Sequence, residues 1–218
     1  MSHYTPTQIF CAIVVLFFGI GIHEYSHAKF AELAGDPTPR SYGRVTLQLW
    51  KHFEPVGTMM MVLSSLTGFG IGWGRPCPMD PRKMRNPRVD FFIAVIAGPM
   101  SNLVQAMVYG TALKFALASQ APSESLFVQL CVAGLFINLG LCFFNLLPIF
   151  PLDGNWLLGL LLPDKVRIGY QNVQRQVGMI VLLILIITDN QLHLIDTWID
   201  HPTNLIVSRL FGNIFTSN

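Results

Sequence analysis

Residues 9–33 read IFCAIVVLFFGIGIHEYSHAKFAEL, and in this stretch an uncharged apolar run leads directly into two histidines and a glutamate. The run 9–22 is typical of a helix that crosses a lipid bilayer, but a bilayer helix needs roughly 20 residues. We therefore expect the helix to continue through His23 to about Phe30. Ionisable side chains at that depth are costly and are usually functional. The stretch predicts a first membrane helix with a functional site towards one end.

The composition of the whole chain also indicates a membrane protein. Of 218 residues, 52% are hydrophobic and only 12% are charged, and the mean hydropathy is +0.50. This leaves too little polar surface for a soluble domain of this size. The net charge of +2 is too small to indicate nucleic acid as a partner. Basic residues concentrate at 75–88 and indicate contact with lipid headgroups instead.

Further uncharged runs predict the other membrane segments. They lie at 56–74, 91–113, 125–152 and 176–188. Residues 91–113 and 125–147 are long enough to span, whereas the last run spans only if its helix begins near residue 170. The predicted fold is an α-helical polytopic membrane protein with about five to six membrane segments.

The run at 56–74 leaves two alternatives open. Basic residues precede it at 29–51 and follow it at 75–88, so the positive-inside rule places both flanks on the cytoplasmic side. This favours a re-entrant segment over a plain transmembrane helix, which would violate the charge rule. With a re-entrant segment the N-terminus lies outside, and the far end of the first helix meets the end of the run 125–147 near the cytoplasmic face.

Residues at these two ends have the chemistry of a metal site. His23 and His27 are four apart and share one helix face, with Glu24 beside them, in the H-E-x-x-H arrangement of zinc hydrolases. A catalytic zinc generally has three protein ligands, and Asp153, which follows the run 125–152, is the natural third. The alternative for Asp153 is a turn-capping role, because PLDG has ordinary turn chemistry.

The four cysteines and the other histidines are not predicted to bind metal. The cysteines lack CxxC spacing and are interpreted as packing residues, and the other histidines are interpreted as interfacial or loop residues without a partner at ligand spacing. No cleavable signal peptide is expected from the opening MSHYTPTQ. The residues concerned are Cys11, Cys77, Cys131, Cys142, His3, His52, His193 and His201.

The chain resembles the site-2 protease family of intramembrane zinc metalloproteases, most closely its compact branch without PDZ or CBS domains. The resemblance covers about residues 15–165. It rests on HEYSHAKFAELAGD, YGRVTL and HFEPVGT, then GWGRPCPMDPRKMRNPRVDF, AGPMSN and NLLPIFPLDG, in that order. It implies one membrane-embedded metalloprotease domain over 1–218, with a core at about 8–165 and C-terminal helices at about 166–218.

The resemblance also implies roles for individual residues. His23, His27 and Asp153 would bind one Zn²⁺ per chain, and Glu24 would be the catalytic base. Asn145 matches the family's asparagine ahead of LDG. Its position predicts a hydrogen bond to the oxyanion or to the substrate backbone, and the alternative is an interhelical hydrogen bond. The AGP-x-x-N element matches Gly98, Pro99 and Asn102, and Asn102 is interpreted as a helix–helix contact. Asn155 and Trp156 depart from relatives and are expected to alter the substrate groove.

A small β-hairpin or sheet is expected at the cytoplasmic interface. The alternating segment YGRVTL (42–47), with RPCPM (75–79) opposite, could offer an edge to which an unwound substrate adds as a strand. The alternative is a structural hairpin that covers the site from lipid.

The predicted function is hydrolysis of a peptide bond within or near the transmembrane helix of a membrane protein. The expected partners are such substrates and the lipid bilayer, and the oligomeric state is left open. The protein is expected in the plasma membrane, with its active site near the cytoplasmic side. A zinc transporter and a non-catalytic zinc-binding membrane protein are the alternatives. Transport usually requires further ligands along a path, and a non-catalytic protein would not require Glu24.

Overall fold

The computed structural model describes residues 5–59 and 74–212 and is 78% helical. Its main helices are α1 (Pro6–Leu33), α2 (Pro87–Ala118), α3 (Leu126–Asn145), α4 (Asp153–Leu161), α5 (Asp164–Leu192) and α6 (Leu194–Ile206). Within the described residues, α1, α2, α3 and the part of α5 over Asp164–Asp189 are long and apolar enough to cross a membrane. The helical membrane architecture agrees with the prediction, but the predicted number of five to six segments is not confirmed.

The first helix extends as far as its sequence predicted. The side chains of Thr5 and Gln8 form a capping box at its start, with Pro6 in the first turn, where a missing N–H costs nothing. The helix then runs without interruption through His23 and His27. The fourth candidate span differs more from its prediction. It begins at Asp164 rather than near residue 170, because a polar first half precedes the apolar run.

The first three long helices form the core of the bundle. α1 packs against both α2 and α3, and these two pack against each other. Small residues permit the close approaches. A Cβ at Gly110 would meet the Phe211 ring, and one at Gly134 would meet the Tyr109 ring. α5 is largely exposed on its outer side and packs against α4, α6 and the loop 146–152.

The end of α1 and the start of α2 lie at the same end of the bundle. The backbone N–H of Arg85 donates to the carbonyl of Ala34 at 3.0 Å. The fully buried Asp36 carboxylate accepts from the backbone N–H groups of Thr38 (2.9 Å) and Asp80 (2.7 Å). The chain therefore leaves α1 and enters α2 at one level, and the two helices run antiparallel.

The predicted re-entrant segment at 56–74 falls mostly outside the described residues, which exclude 60–73. Its two flanks lie side by side. The N–H of Arg75 donates to the His52 carbonyl at 2.7 Å, and Phe53 forms an isolated antiparallel bridge with Gly74. Adjacent flanks are what a re-entrant segment requires, and the re-entrant path itself stays a prediction.

The predicted β-hairpin or sheet is wrong for the described residues. Neither 42–47 nor 75–79 forms a strand, and pairing of extended backbone in 5–59 and 74–212 is limited to that single bridge. The N–H of Arg44 donates to the Pro39 carbonyl at 2.8 Å, and the N–H of Thr46 donates to the Arg44 carbonyl at 2.9 Å. Local turns thus use the backbone groups that a strand would offer to a partner.

Two buried side chains complete this compact turn. The Arg44 guanidinium is buried and donates to the Lys51 carbonyl at 2.6 Å. His52 is fully buried and its Nε2 donates to the Thr46 carbonyl at 3.0 Å. Burial lowers the pKa of His52, which favours the neutral ring in this role.

Candidate metal centre

The three predicted ligands meet at one point in the bundle. His23 and His27 project from one face of α1, and Asp153 is the first residue of α4. Oδ2 of Asp153 lies 3.2 Å from Nε2 of His23 and 3.3 Å from Nε2 of His27, and the two Nε2 atoms are 3.0 Å apart. Both histidines are buried and Asp153 is nearly so. Among the described residues these are the group of His, Cys, Asp and Glu side chains that could hold a metal ion.

The other ring nitrogen of each histidine determines its tautomer. Nδ1 of His27 lies 2.8 Å from the Ala94 carbonyl, which can only accept, so Nδ1 carries the proton. Nδ1 of His23 lies 2.7 Å from Oδ1 of Asn102 and likewise donates. With the proton on Nδ1, the Nε2 atom of each neutral ring presents its lone pair to the other ring and to Asp153.

This donor set fits zinc. Two imidazole nitrogens and a carboxylate oxygen converge within 3.3 Å of one another, and among the described residues the buried Oδ2 of Asp153 has no hydrogen-bond donor. Three converging lone pairs repel one another unless a cation lies among them. Two histidines and one carboxylate are a ligand set of catalytic zinc, which keeps a further position open. The unpaired oxygen also argues against a turn-capping role for Asp153.

A buried amide network supports His23, and the sequence interpretation missed it. Nδ2 of Asn102 donates to the Gly19 carbonyl at 3.1 Å and to Oδ1 of Asn138 at 3.0 Å, so its oxygen must face His23. Nδ2 of Asn138 in turn donates to the Gly134 carbonyl at 2.9 Å. Asn102 and Asn138 are both fully buried. Asn102 is thus both the predicted helix contact and the partner of a candidate ligand. In the sequence, Asn138 could have been singled out because it is a lone amide inside an apolar run, where polar residues are costly.

Two glycines permit the close packing around the cluster. A Cβ at Gly98 would collide with the His27 ring and lie 2.8 Å from Cε1 of His23. A Cβ at Gly154 would collide with the carbonyl oxygens of Leu146 and Leu147 at the end of α3. Gly98 lets α2 approach the histidines, and Gly154 lets α4 begin where Asp153 reaches them.

Gly98→Ala is therefore expected to displace the histidine rings. We expect zinc affinity to fall by about 10- to 100-fold, as for loss of a group that orients a ligand. Overpacking should also destabilise the fold by about 1–3 kcal/mol. Gly140→Ala is the matched control, because Gly140 also lies in a long helix and a Cβ there would meet no atom of the described residues within 4 Å. Zinc content measured by competition with a chelator checks both variants. Equal affinity in the two would contradict the steric argument.

Glu24 lies beside the cluster and lines the same cavity. Its Oε2 accepts a hydrogen bond from the backbone N–H of Cys77 at 3.2 Å. Cys77 also lines this cavity, so it differs from Cys11, Cys131 and Cys142, which are buried in the bundle as predicted. Burial raises the pKa of the Cys77 thiol to about 12, and the Glu24 carboxylate acts in the same direction. The thiol therefore stays protonated at neutral pH and is not a nucleophile.

Asn145 also lines the cavity, as the last residue of α3. Its Nδ2 donates to the Leu141 carbonyl of its own helix at 2.9 Å. The structure therefore gives it an intrahelical hydrogen bond, where the alternative interpretation had placed an interhelical one. Its amide keeps capacity for one more donated bond and for accepted bonds.

The cavity has a volume of about 1230 Å³ and lies between the metal cluster and α5. Its wall on α5 is apolar over Met179, Leu182, Leu183 and Ile186. Trp156, expected to alter the groove, lines it between the Phe91 ring (centroids 6.1 Å apart) and the Arg175 guanidinium (5.8 Å from the ring centre). The space is large enough for an extended peptide segment.

The other histidines lie apart from the cluster. His3 is outside the described residues, and His52 is buried in the turn described above. His193 joins α5 to α6 with φ of 49°, and His201 is exposed on α6.

A membrane helix bundle with an open His–His–Asp centre and an adjacent glutamate defines the class of membrane metallopeptidases. The family model described as "Peptidase family M50" matches residues 111–188, which include Asn145 and Asp153. The chain is also 34% identical over 197 residues to "Putative zinc metalloprotease YwhC" of Bacillus subtilis (strain 168), covering 85% of this chain and 84% of that relative. No solved structure matches the chain significantly.

The chain belongs to peptidase family M50, the site-2 protease family. This confirms the resemblance seen in its motifs. Family membership implies zinc and a metallopeptidase activity, and the four apolar helices indicate an integral membrane protein.

Proposed function

We propose that the protein is an intramembrane zinc endopeptidase that cleaves a peptide bond within or near the transmembrane helix of a membrane protein. The observation that carries this proposal is the convergence of His23, His27 and Asp153 between helices long enough to span a bilayer. A hydrolytic centre at that place meets substrates that lie in the membrane. His23, His27 and Asp153 are the proposed ligands of one Zn²⁺ per chain.

Glu24 is the proposed general base. Zinc at this site supplies Lewis acidity towards water and the scissile carbonyl. The Glu24 carboxylate accepts a proton from the attacking water and then delivers it to the leaving amine. The hydrogen bond from Cys77 N–H to Oε2 orients this carboxylate and leaves its other oxygen free for the proton.

Asn145 is proposed to contact the substrate. Its side chain lies on the cavity wall eight residues before Asp153 and has a remaining N–H. That N–H is available for the oxyanion or for a carbonyl of the substrate backbone.

The active site is proposed to lie near the cytoplasmic side of the plasma membrane. The basic segment with Arg82, Lys83 and Arg85 lies at the end of the bundle where α1 ends and α2 begins. The histidines lie within the last three turns of α1, towards that same end. The positive-inside rule supports a cytoplasmic location for this end, with the N-terminus outside.

Metal removal tests the proposed function. The purified protein is placed in liposomes with a single-span substrate that has a Gly or Pro in its apolar run. We expect the protein to cleave this substrate. Treatment with 1,10-phenanthroline should abolish cleavage, and added Zn²⁺ should restore it, because Glu24 alone cannot lower the pKa of water or polarise the scissile carbonyl as the metal does. Mg²⁺ is the control ion and should not restore activity. Protein that holds zinc and moves it across the liposome membrane, but cleaves no substrate, would contradict the proposal in favour of a transporter.

A further inference from the structure

The loop 146–152 joins α3 to α4 and ends at Asp153. A donor and an acceptor of its backbone face α5. The N–H of Phe150 donates to Oε1 of Gln174 at 3.0 Å, and Nε2 of Gln174 donates to the Pro148 carbonyl at 3.3 Å. The Tyr170 hydroxyl donates to the same carbonyl at 3.0 Å. One side-chain amide therefore satisfies two backbone groups of this loop.

The Gln174 amide makes the pair of contacts that one residue of a parallel neighbouring strand makes. A carboxamide has one C=O acceptor and an N–H donor, as a backbone unit has. In a parallel β-ladder, one residue of the neighbouring strand accepts from the N–H of one residue and donates to the C=O of the residue two positions before it. Gln174 bonds Phe150 and Pro148 in the same way. It thus fills a position that suits an extended peptide backbone.

The packing of α5 brings this amide against the loop. Gly178 lies one turn after Gln174 and is buried. A Cβ at Gly178 would lie 2.7 Å from Cβ of Phe150 and 2.8 Å from Oε1 of Gln174. Only a residue without a side chain allows this approach. By contrast, Asn172 on the same helix is exposed.

The loop also forms part of the cavity wall. Phe150, Pro151 and Leu152 line the cavity and lead directly to Asp153. A substrate helix must unwind before cleavage, and its freed N–H and C=O groups then need partners. The predicted strand at 42–47 does not provide them, because local turns occupy its backbone.

We propose that the loop backbone at Pro148 and Phe150 is a docking site for the unwound backbone of the substrate, and that Gln174 occupies this site until substrate displaces it. The inference rests on the proposed function, because its ligand is the extended peptide that the metal centre would cleave. It adds a binding position that depends on the substrate backbone and is independent of substrate side chains.

The test is peptide binding rather than cleavage, so that it does not depend on turnover. The probe is a fluorescein-labelled apolar peptide of about 20 residues with a central Gly-Pro pair, which matches the length of a span. It is titrated into zinc-loaded protein in detergent micelles, in a Glu24→Gln background. Gln174→Ala removes the competing amide, and Asn172→Ala removes an exposed amide from the same helix. Tyr170→Phe removes a donor to Pro148 and leaves Gln174 in place.

Gln174→Ala is expected to lower the Kd for the peptide by about three- to tenfold, because substrate no longer displaces a hydrogen-bonded group. Asn172→Ala and Tyr170→Phe should not tighten binding. Unchanged or weaker binding in Gln174→Ala, or a loss of its zinc relative to Asn172→Ala, would overturn the proposal and leave Gln174 as a support for the loop. Tighter binding in Gln174→Ala together with no cleavage by the wild-type protein would refute the proposed function alone. Cleavage by the wild type with an unchanged Kd in Gln174→Ala would refute the docking site alone.

Discussion

Glu24→Gln is expected to abolish peptide cleavage while zinc content stays at that of the wild type. The amide matches the carboxylate in size and can still accept the hydrogen bond from Cys77 N–H. It cannot take a proton from water. General bases contribute about 10²–10⁴-fold to rate, and a base that also protonates the leaving amine should lie at the upper end. Cleavage of a single-span substrate in liposomes and zinc per chain are measured on the same preparations.

Glu32→Gln is the matched control for this variant. Glu32 lies two turns further along α1 and pairs with Lys29 at 2.9 Å and with Arg40, away from the metal cluster. Its loss removes two ion pairs with partly exposed basic partners, and such pairs contribute little to stability. We expect cleavage near the wild-type rate. A Glu24→Gln protein that keeps zinc and cleaves as fast as the Glu32→Gln protein would show that another group is the base.

Asp153→Ala is expected to lose both zinc and activity. Removal of one of three protein ligands should lower zinc affinity by more than the roughly 10- to 100-fold that loss of a ligand's hydrogen-bond partner costs. The fold should persist, because no described residue donates a hydrogen bond to Oδ2 of Asp153 that the substitution would remove. Metal analysis after purification and a competition titration with a chelator measure the effect. Thermal unfolding of the wild type and of Asp153→Ala, both without metal, shows whether the fold is retained.

Asp164→Ala provides the comparison for Asp153→Ala. Asp164 is also the first residue of a helix, lines the same cavity and pairs with Arg167 at 2.9 Å, but its side chain is mostly exposed. Its loss should leave zinc content unchanged. Full zinc occupancy in Asp153→Ala would remove this aspartate from the ligand set.

The histidine pair was predictable from sequence because its geometry is local. A spacing of four residues places His23 and His27 on one helix face wherever the helix lies. Asp153 was predictable for a different reason. The directions of successive spans bring the ends of α1 and α3 to one level, and this requires only the order of apolar runs and the placement of basic residues.

The prediction of a strand at 42–47 was wrong because alternation of polar and apolar residues over six positions does not reveal which polar groups are buried. Arg44 and His52 are buried and bind backbone carbonyls of the turn around them. Those contacts arise from the compact path of the chain between α1 and the bridge at Phe53, and no periodicity in the segment encodes them.

The sequence by itself thus determined the membrane class, the long apolar helices α1, α2 and α3 and the three converging donors, because apolar length and helical spacing are short-range properties. The tertiary structure alone decided what supports them. The partners of His23 and His27 lie 79 and 67 residues away in α2, and Gln174 lies 24 residues beyond Phe150. Contacts at such separations depend on how closely whole helices approach, which here is set by single glycines such as Gly98 and Gly178.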